Sequence, residues 1–183
     1  MSDRYTRTAI ALHWLVALGV ITNITLAWVW PHAADEQVRL MIDFHKAVGI
    51  TILGLAIMRL LWRATHRPPA MPLGYKAWEV RAAHIVHWLL YFILFAMPLT
   101  GWIMDSAYKD AATHPMPFFG LFIWPRIGFI MHLPPDTREY VHDLFGHFHE
   151  WISWLVYALL VLHVGGALKH QFQGDPELQR MLP

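Results

Sequence analysis

The sequence predicts an all-α fold: an integral membrane four-helix bundle, one domain over residues 1–183, with both termini on the cytoplasmic side. Three observations predict it. Hydrophobic residues make up 56% of the chain and charged residues 15%, with a mean hydropathy of +0.36, whereas a soluble domain carries roughly 45–50% apolar and about 25% charged residues. Four apolar runs approach the ~20-residue length of a membrane-spanning helix. Lys and Arg gather in alternate connections, as the preference for positive charge on the cytoplasmic side requires.

The first helix is expected at about residues 9–30, on the run AIALHWLVALGVITNITLAWVW. Its basic flank and the WPHAA that follows resemble a cleaved signal peptide. The run exceeds the roughly 7–15 apolar residues of such a peptide and contains His13, so it is read as a retained helix. The second helix, about 45–64, rests on AVGITILGLAIMRLLW, which is short and contains Arg59. A buried helix of a soluble domain is the alternative for that run alone, but four such runs in one short chain are hard to hide in water. The third helix is expected at about 83–105, where Pro98 and Gly101 predict a kink that neighbouring helices tolerate. The fourth is expected at about 148–171, on WISWLVYALLVLHVGGAL. None of the runs alternates with a period of two, which excludes barrel strands.

Arg4 and Arg7 precede the first helix, Arg63, Arg67, Lys76 and Arg81 separate the second from the third, and Lys169 and Arg180 follow the fourth. These segments are therefore assigned to the cytoplasm and the chain to a multi-pass membrane protein, which the family resemblance given below implies to be of the bacterial inner membrane. The outer loop, about 106–146, contains HPMPFFG and WPRIGF and is read as an interfacial segment with a short helix lying on the membrane.

Composition also narrows the chemistry. The chain has no Cys, which excludes disulfides, thiolate zinc sites, iron–sulfur clusters, thiol nucleophiles and covalently attached haem. A net charge of +1 with no basic block argues against a nucleic-acid partner. What needs an explanation is 13 His. Ionisable side chains are expensive inside a bilayer and usually functional. One intramembrane His is as well explained by a hydrogen bond to a neighbouring helix; several at matching depths point to noncovalent haem b with a His on each side of the iron.

His149 and His163 are 14 residues apart, which is about 21 Å along a helix and within about 40° of one face. His45 matches His149 in depth near the outer surface, and His13 matches His163 near the inner one. Two haem b groups stacked across the bilayer follow, with His13, His45, His149 and His163 as the iron ligands. The outer pair is nearly forced. The inner pair is less so, because His87 can substitute for either member. His147 falls on the wrong face and His142 too far out, while His32, His66, His114 and His132 lie in loops.

Arg59 shares the face of His45 at the inner level and is expected to pair with a haem propionate, snorkelling to the interface being the alternative. Lys46 is a candidate for the same role at the outer haem. Gly49, Gly146, Gly165 and Gly166 suit the approach of a flat macrocycle, though close helix packing explains them equally well. The many Trp near helix ends read as interfacial belts.

The chain resembles the bacterial cytochrome b561 family over essentially its whole length. The resemblance rests on YTRTAIALHW around His13, DFHKAVGITILGLAIMRLLWR from Asp43, AAHIVHWLLYFILFAMPLTGW from Ala82, HEWISWLVYALLVLHVGGALKHQF from His149 and the closing DPELQRMLP. It implies a di-haem electron carrier whose ligands correspond to His13, His45, His149 and His163. It also implies superoxide oxidation at the periplasmic face with reduction of ubiquinone, an activity the spacing does not show.

The expected function is transmembrane electron transfer, linking a periplasmic donor such as superoxide to ubiquinone in the bilayer. Whether the chain is itself a superoxide:quinone oxidoreductase or only an electron carrier stays open. His84, His87, His170 and Arg59 are candidates for a quinone site at the inner level, and Lys46, Arg126, His132 and Arg138 for steering an anion outside. Two alternatives remain: a cytochrome b subunit working with a dehydrogenase or hydrogenase, and a haem-free proton or metal channel or transporter. Catalytic residues are not assigned.

Overall fold

The helices of this chain are apolar on their outward faces as well as in the core between them. A computed structural model describes residues 4–71, 74–174 and 178–182. Its elements are α1 (Arg7–Val29), α2 (Asp35–Thr65), α3 (Ala77–Ser106), the one-turn α4 (Gly128–Met131) and α5 (Pro135–Phe172). Among the described residues, α1, α2, α3 and α5 are long and apolar enough to cross a membrane. Large side chains in their middles face outward: Leu18 is 64% exposed, Phe92 61% and Val161 72%. Apolar surface on that scale is unsuited to water and suited to lipid.

Local chemistry sets the helix starts. Thr6 caps α1, its hydroxyl accepting from the Ala9 amide at 3.3 Å and from Trp62 Nε1 at 2.9 Å. Glu79 reaches back to the Lys76 amide at 2.9 Å and pairs with Lys169 of α5, stitching α3 to α5 at the end that bears both termini. Pro98 is buried inside α3, which runs through it without a break.

Two helices begin well before their expected starts. α2 begins at Asp35 rather than near 45, and α5 at Pro135 rather than near 148. Both extensions are polar, so hydropathy does not reveal them, and both carry ordinary helix-start signals. Asp35 and Glu36 occupy the first turn of α2, with an Arg39–Asp43 pair at 2.9 Å one turn on, and Pro135 and Asp136 open α5. The connection between α3 and α5 shrinks accordingly. It holds α4 and a small antiparallel hairpin, β1 (Pro117–Phe118) with β2 (Phe122–Ile123), turned through Phe119 and Gly120 at φ 51° and 74°.

α1 packs along α2, α3 packs along α5, and α2 meets α3 to join the two pairs. The α1–α2 contact is close. Ala47 and Ala56 are 1% and 0% exposed, and a Cβ added to Gly19 would lie 2.9 Å from Ile52 Cγ1. Gly19→Val is therefore expected to destabilise the bundle by about 1–3 kcal/mol through overpacking. Gly54→Ala, where nothing lies within 4 Å, should cost nothing. Thermal unfolding in detergent followed by Trp fluorescence checks both. Between α3 and α5 the core consists of Ile93, Val156 and Leu159, with Val20 and Ile24 of α1 against it. This apolar layer lies between the levels of His149 and His163.

At the end bearing the termini, the chain folds back on itself. Trp14 Nε1 donates to the Met181 carbonyl at 2.6 Å, and Arg180, 8% exposed, donates to the Ala70 carbonyl at 2.7 Å. Arg180 was expected only as a cytoplasmic charge; burial gives it a packing role. Of the closing DPELQRMLP segment, Asp175, Pro176, Glu177 and Pro183 lie outside the described residues.

Candidate functional site

Two pairs of imidazoles face each other across the bundle. His45 of α2 and His149 of α5 have ring centres 6.2 Å apart; His13 of α1 and His163 of α5 have theirs 6.0 Å apart. Two imidazoles bound to one metal from opposite sides, each through a bond of about 2 Å, place their ring centres about 6 Å apart. Both pairs have that spacing without any distortion of the helices that carry them.

Hydrogen bonding at the His45/His149 level leaves the right nitrogens free. His45 Nδ1 lies 3.3 Å from the Asn23 carbonyl, which can only accept, so Nδ1 carries the proton and Nε2 keeps a lone pair. His149 Nδ1 lies 3.0 Å from Thr100 Oγ1, whose own proton goes to the Met97 carbonyl at 2.9 Å. The hydroxyl therefore accepts from His149, and Nε2 of that ring is bare too. These are the outer-shell contacts that orient metal-binding imidazoles. Gly101 makes room for the ring: a Cβ there would lie 3.3 Å from His149 Cε1. Neither Thr100 nor the Asn23 carbonyl stood out in the sequence. Gly101 did, but as a hinge. Thr100→Val is expected to weaken cofactor retention at this level 10–100-fold, read as loss of bound haem during dilution, while Thr100→Ser retains it.

The His13/His163 level is built differently. His87 of α3 also approaches His163, with ring centres 5.3 Å apart, so three histidines share the space. His13 Nδ1 is buried and makes no hydrogen bond with any described residue. An unspent imidazole nitrogen in an apolar setting is costly, and coordination of the ring to a metal is one way to use it. Arg59 lies within electrostatic reach of His13, His87 and His163, its guanidinium 5.5 Å over the Tyr91 ring. Arg63 stands 5.2 Å over Trp88 and 5.4 Å over Tyr91.

Other candidates separate. Of the proposed quinone group, His87 and Arg59 adjoin His13, His84 is exposed, and His170 stacks on Tyr75 at 3.9 Å. His142 is engaged with the Met104 carbonyl at 2.9 Å, and exposed His147 with the Asp143 carbonyl at 2.8 Å. The proposed anion-steering group is also divided. Lys46 and Arg126 both grip Asp105, at 2.6 and 2.8 Å, because a carboxylate that is only 5% exposed requires cations around it. His132 bonds the Gly128 carbonyl, and Arg138 reaches the Met131 and Lys109 carbonyls. Gly49 and Gly146 lie against Asn23 Nδ2 and Met104 Sδ, at 3.6 and 3.4 Å for an added Cβ, whereas Gly165 and Gly166 face open space.

The donor set fits haem b. Each level offers a facing pair of imidazoles about 6 Å apart, with apolar side chains between the levels, and the chain has no thiolate for a covalent link. His45 with His149, and His13 with His163, would hold such a group, which would supply one-electron chemistry.

Comparison with known proteins gives an independent line. Residues 4–183 match the family model described as prokaryotic cytochrome b561. The chain is 32% identical to cytochrome b561 homolog 2 of Escherichia coli K12 over 190 residues, covering 98% of this chain and 92% of the relative. It is 29% identical to cytochrome b561 homolog 1 of the same organism, covering 99% and 98%. It is 26% identical to the probable superoxide oxidase CybB of Yersinia pestis, covering 100% and 98%.

Proposed function

Because this chain belongs to the prokaryotic cytochrome b561 family of multi-pass inner-membrane electron-transfer proteins, we propose that it carries electrons across the membrane by way of two b-type haems, between a periplasmic donor such as superoxide and ubiquinone. The observation that carries this reading is the repetition of one motif at two levels: facing imidazoles 6.2 and 6.0 Å apart. A lone satisfied histidine would not recur at the same spacing on the same helix. In this reading both termini are cytoplasmic, His45 and His149 hold the outer haem, and His13 and His163 the inner one.

Bound haem supplies one-electron chemistry between ferric and ferrous iron. The residues of the chain do the rest. Asn23 and Thr100 fix the ring orientation of His45 and His149 and keep their Nε2 atoms unprotonated. Ile93, Val156 and Leu159 exclude water between the levels. Arg59 brings positive charge to the inner level, where it favours a propionate or a reduced quinone. His87, next to His163, is placed to give a proton to a quinone oxygen. The identity of the named relative CybB favours superoxide as the donor.

The test is purified protein in liposomes with ubiquinone, given a superoxide-generating system outside. Quinol formation above the uncatalysed rate, lost in His45→Ala, is expected. A preparation with intact haem that oxidises superoxide no faster than empty liposomes would sink the donor assignment. A reduced-minus-oxidised spectrum without a b-type α-band would sink the haem assignment.

A further inference from the structure

Arg126 was a candidate for steering an anion on the outer side, yet its side chain is only 6% exposed. Its Nε donates to Asp105 at 2.8 Å and one terminal nitrogen to the Ala111 carbonyl at 2.5 Å. The other terminal nitrogen, Nη2, is buried and makes no hydrogen bond with any described residue. A buried charged donor left without an acceptor is costly and calls for one.

The charged groups nearby form one cluster. Arg39, Lys46 and Arg126 stand around two carboxylates, Asp43 and Asp105. Arg39 is 42% exposed and also donates to the Pro115 carbonyl, so water shares its charge, while Lys46 and Arg126 are the little-exposed cations of the cluster. Both Asp105 oxygens are taken, one by Lys46 and one by Arg126.

The position is informative. Lys46 follows His45 in the chain. Gly101, which abuts His149, and Asp105 are four residues apart in α3, so they share a helix face one turn apart. The Arg126 guanidinium, with Nη2 unbonded, therefore stands about one helical turn beyond the His45/His149 pair, on the side away from the termini. Resting on the haem reading above, we infer that Arg126, aimed by Asp105 and assisted by Lys46, is the carboxylate-binding residue of the outer haem and anchors one of its propionates. The loop between α3 and α5 then serves as a clasp on the cofactor through Arg126, with Ser106 holding the next residue, Ile127, by its amide at 3.0 Å. Lys46 remains near the cofactor, but as part of the Asp105 cluster.

A carboxylate at this place has two sources: the haem itself or a small anion from solution. Potentiometric titration of the α-band separates them when done on wild type and Arg126→Gln, each loaded either with haem b or with its dimethyl ester, which has no carboxylates. With haem b, Arg126→Gln should lower the midpoint of one haem by at least tenfold in its reduction equilibrium, about 59 mV for one electron, and leave the other haem unmoved. With the diester, the difference between wild type and variant should fall to less than half. Asp105→Asn, which removes a negative charge at the same place, should move the same haem in the opposite direction, which a general loosening of the loop would not do. Arg126→Lys should retain much of the midpoint and guard against misfolding.

An unchanged midpoint in Arg126→Gln overturns the inference. So does a shift equally large with the diester, or one restored by added acetate, which would assign the site to a free anion. Haem counting by pyridine haemochrome keeps this separate from the two-haem reading. If the wild type holds a single haem, that reading fails, and the diester comparison still decides whether Arg126 meets the carboxylate of the haem present.

Discussion

Replacing His149 by Ala is expected to halve the haem content and leave the remaining haem with its normal spectrum. The ring faces His45 at 6.2 Å and is fixed by Thr100, and no third histidine approaches this pair among the described contacts. On the two-haem reading proposed above, removing one of the pair would therefore leave a site with no substitute. The other level lies 14 residues further along α5, beyond the apolar layer of Val156 and Leu159, about 21 Å away. Sites that far apart with no shared partners behave independently. Pyridine-haemochrome counting against protein concentration should give about one haem per chain. Loss of both haems, or of neither, would overturn the pairing.

The second large effect is at the other level, where three histidines compete. On the proposed reading His163→Ala should remove the inner haem completely, because His163 is the ring that both His13 and His87 face, at 6.0 and 5.3 Å. His13→Ala should do the same. His87→Ala should keep both haems and slow quinone reduction instead. The spacing supports this division. The His13–His163 separation of 6.0 Å matches the other pair, while the 5.3 Å between His87 and His163 is short for two rings on opposite sides of one metal. Haem content and the low-temperature α-band of the three variants check it. If His87→Ala loses a haem and His13→Ala does not, the ligand is His87.

Much of the architecture was legible because solvent preference is a sum over residues. The runs that give α1 and α3 their spans needed no tertiary information, and neither did the 14-residue interval that puts His149 and His163 on one face. The polar starts of α2 and α5 were not legible from hydropathy. Asp35, Glu36 and the Arg39–Asp43 pair read as loop charge until their spacing is taken as first-turn and i,i+4 pairing. The anion-steering group was not legible either. Lys46 and Arg126 are 80 residues apart, and only their meeting at Asp105 shows that both are engaged.

The sequence by itself determined the solvent, the number and order of the spans, and the class of redox centre left to a cysteine-free, histidine-rich chain. Each of these follows from composition or from the fixed rise and turn of one helix. The tertiary structure decided which imidazoles face each other, which nitrogen of His45 and His149 is left bare, that His87 joins the His13/His163 level, and that Arg126 is buried with a donor to spare. Those depend on side chains of different helices meeting within a few ångströms, and such cross-helix distances are not encoded in the period of any single helix.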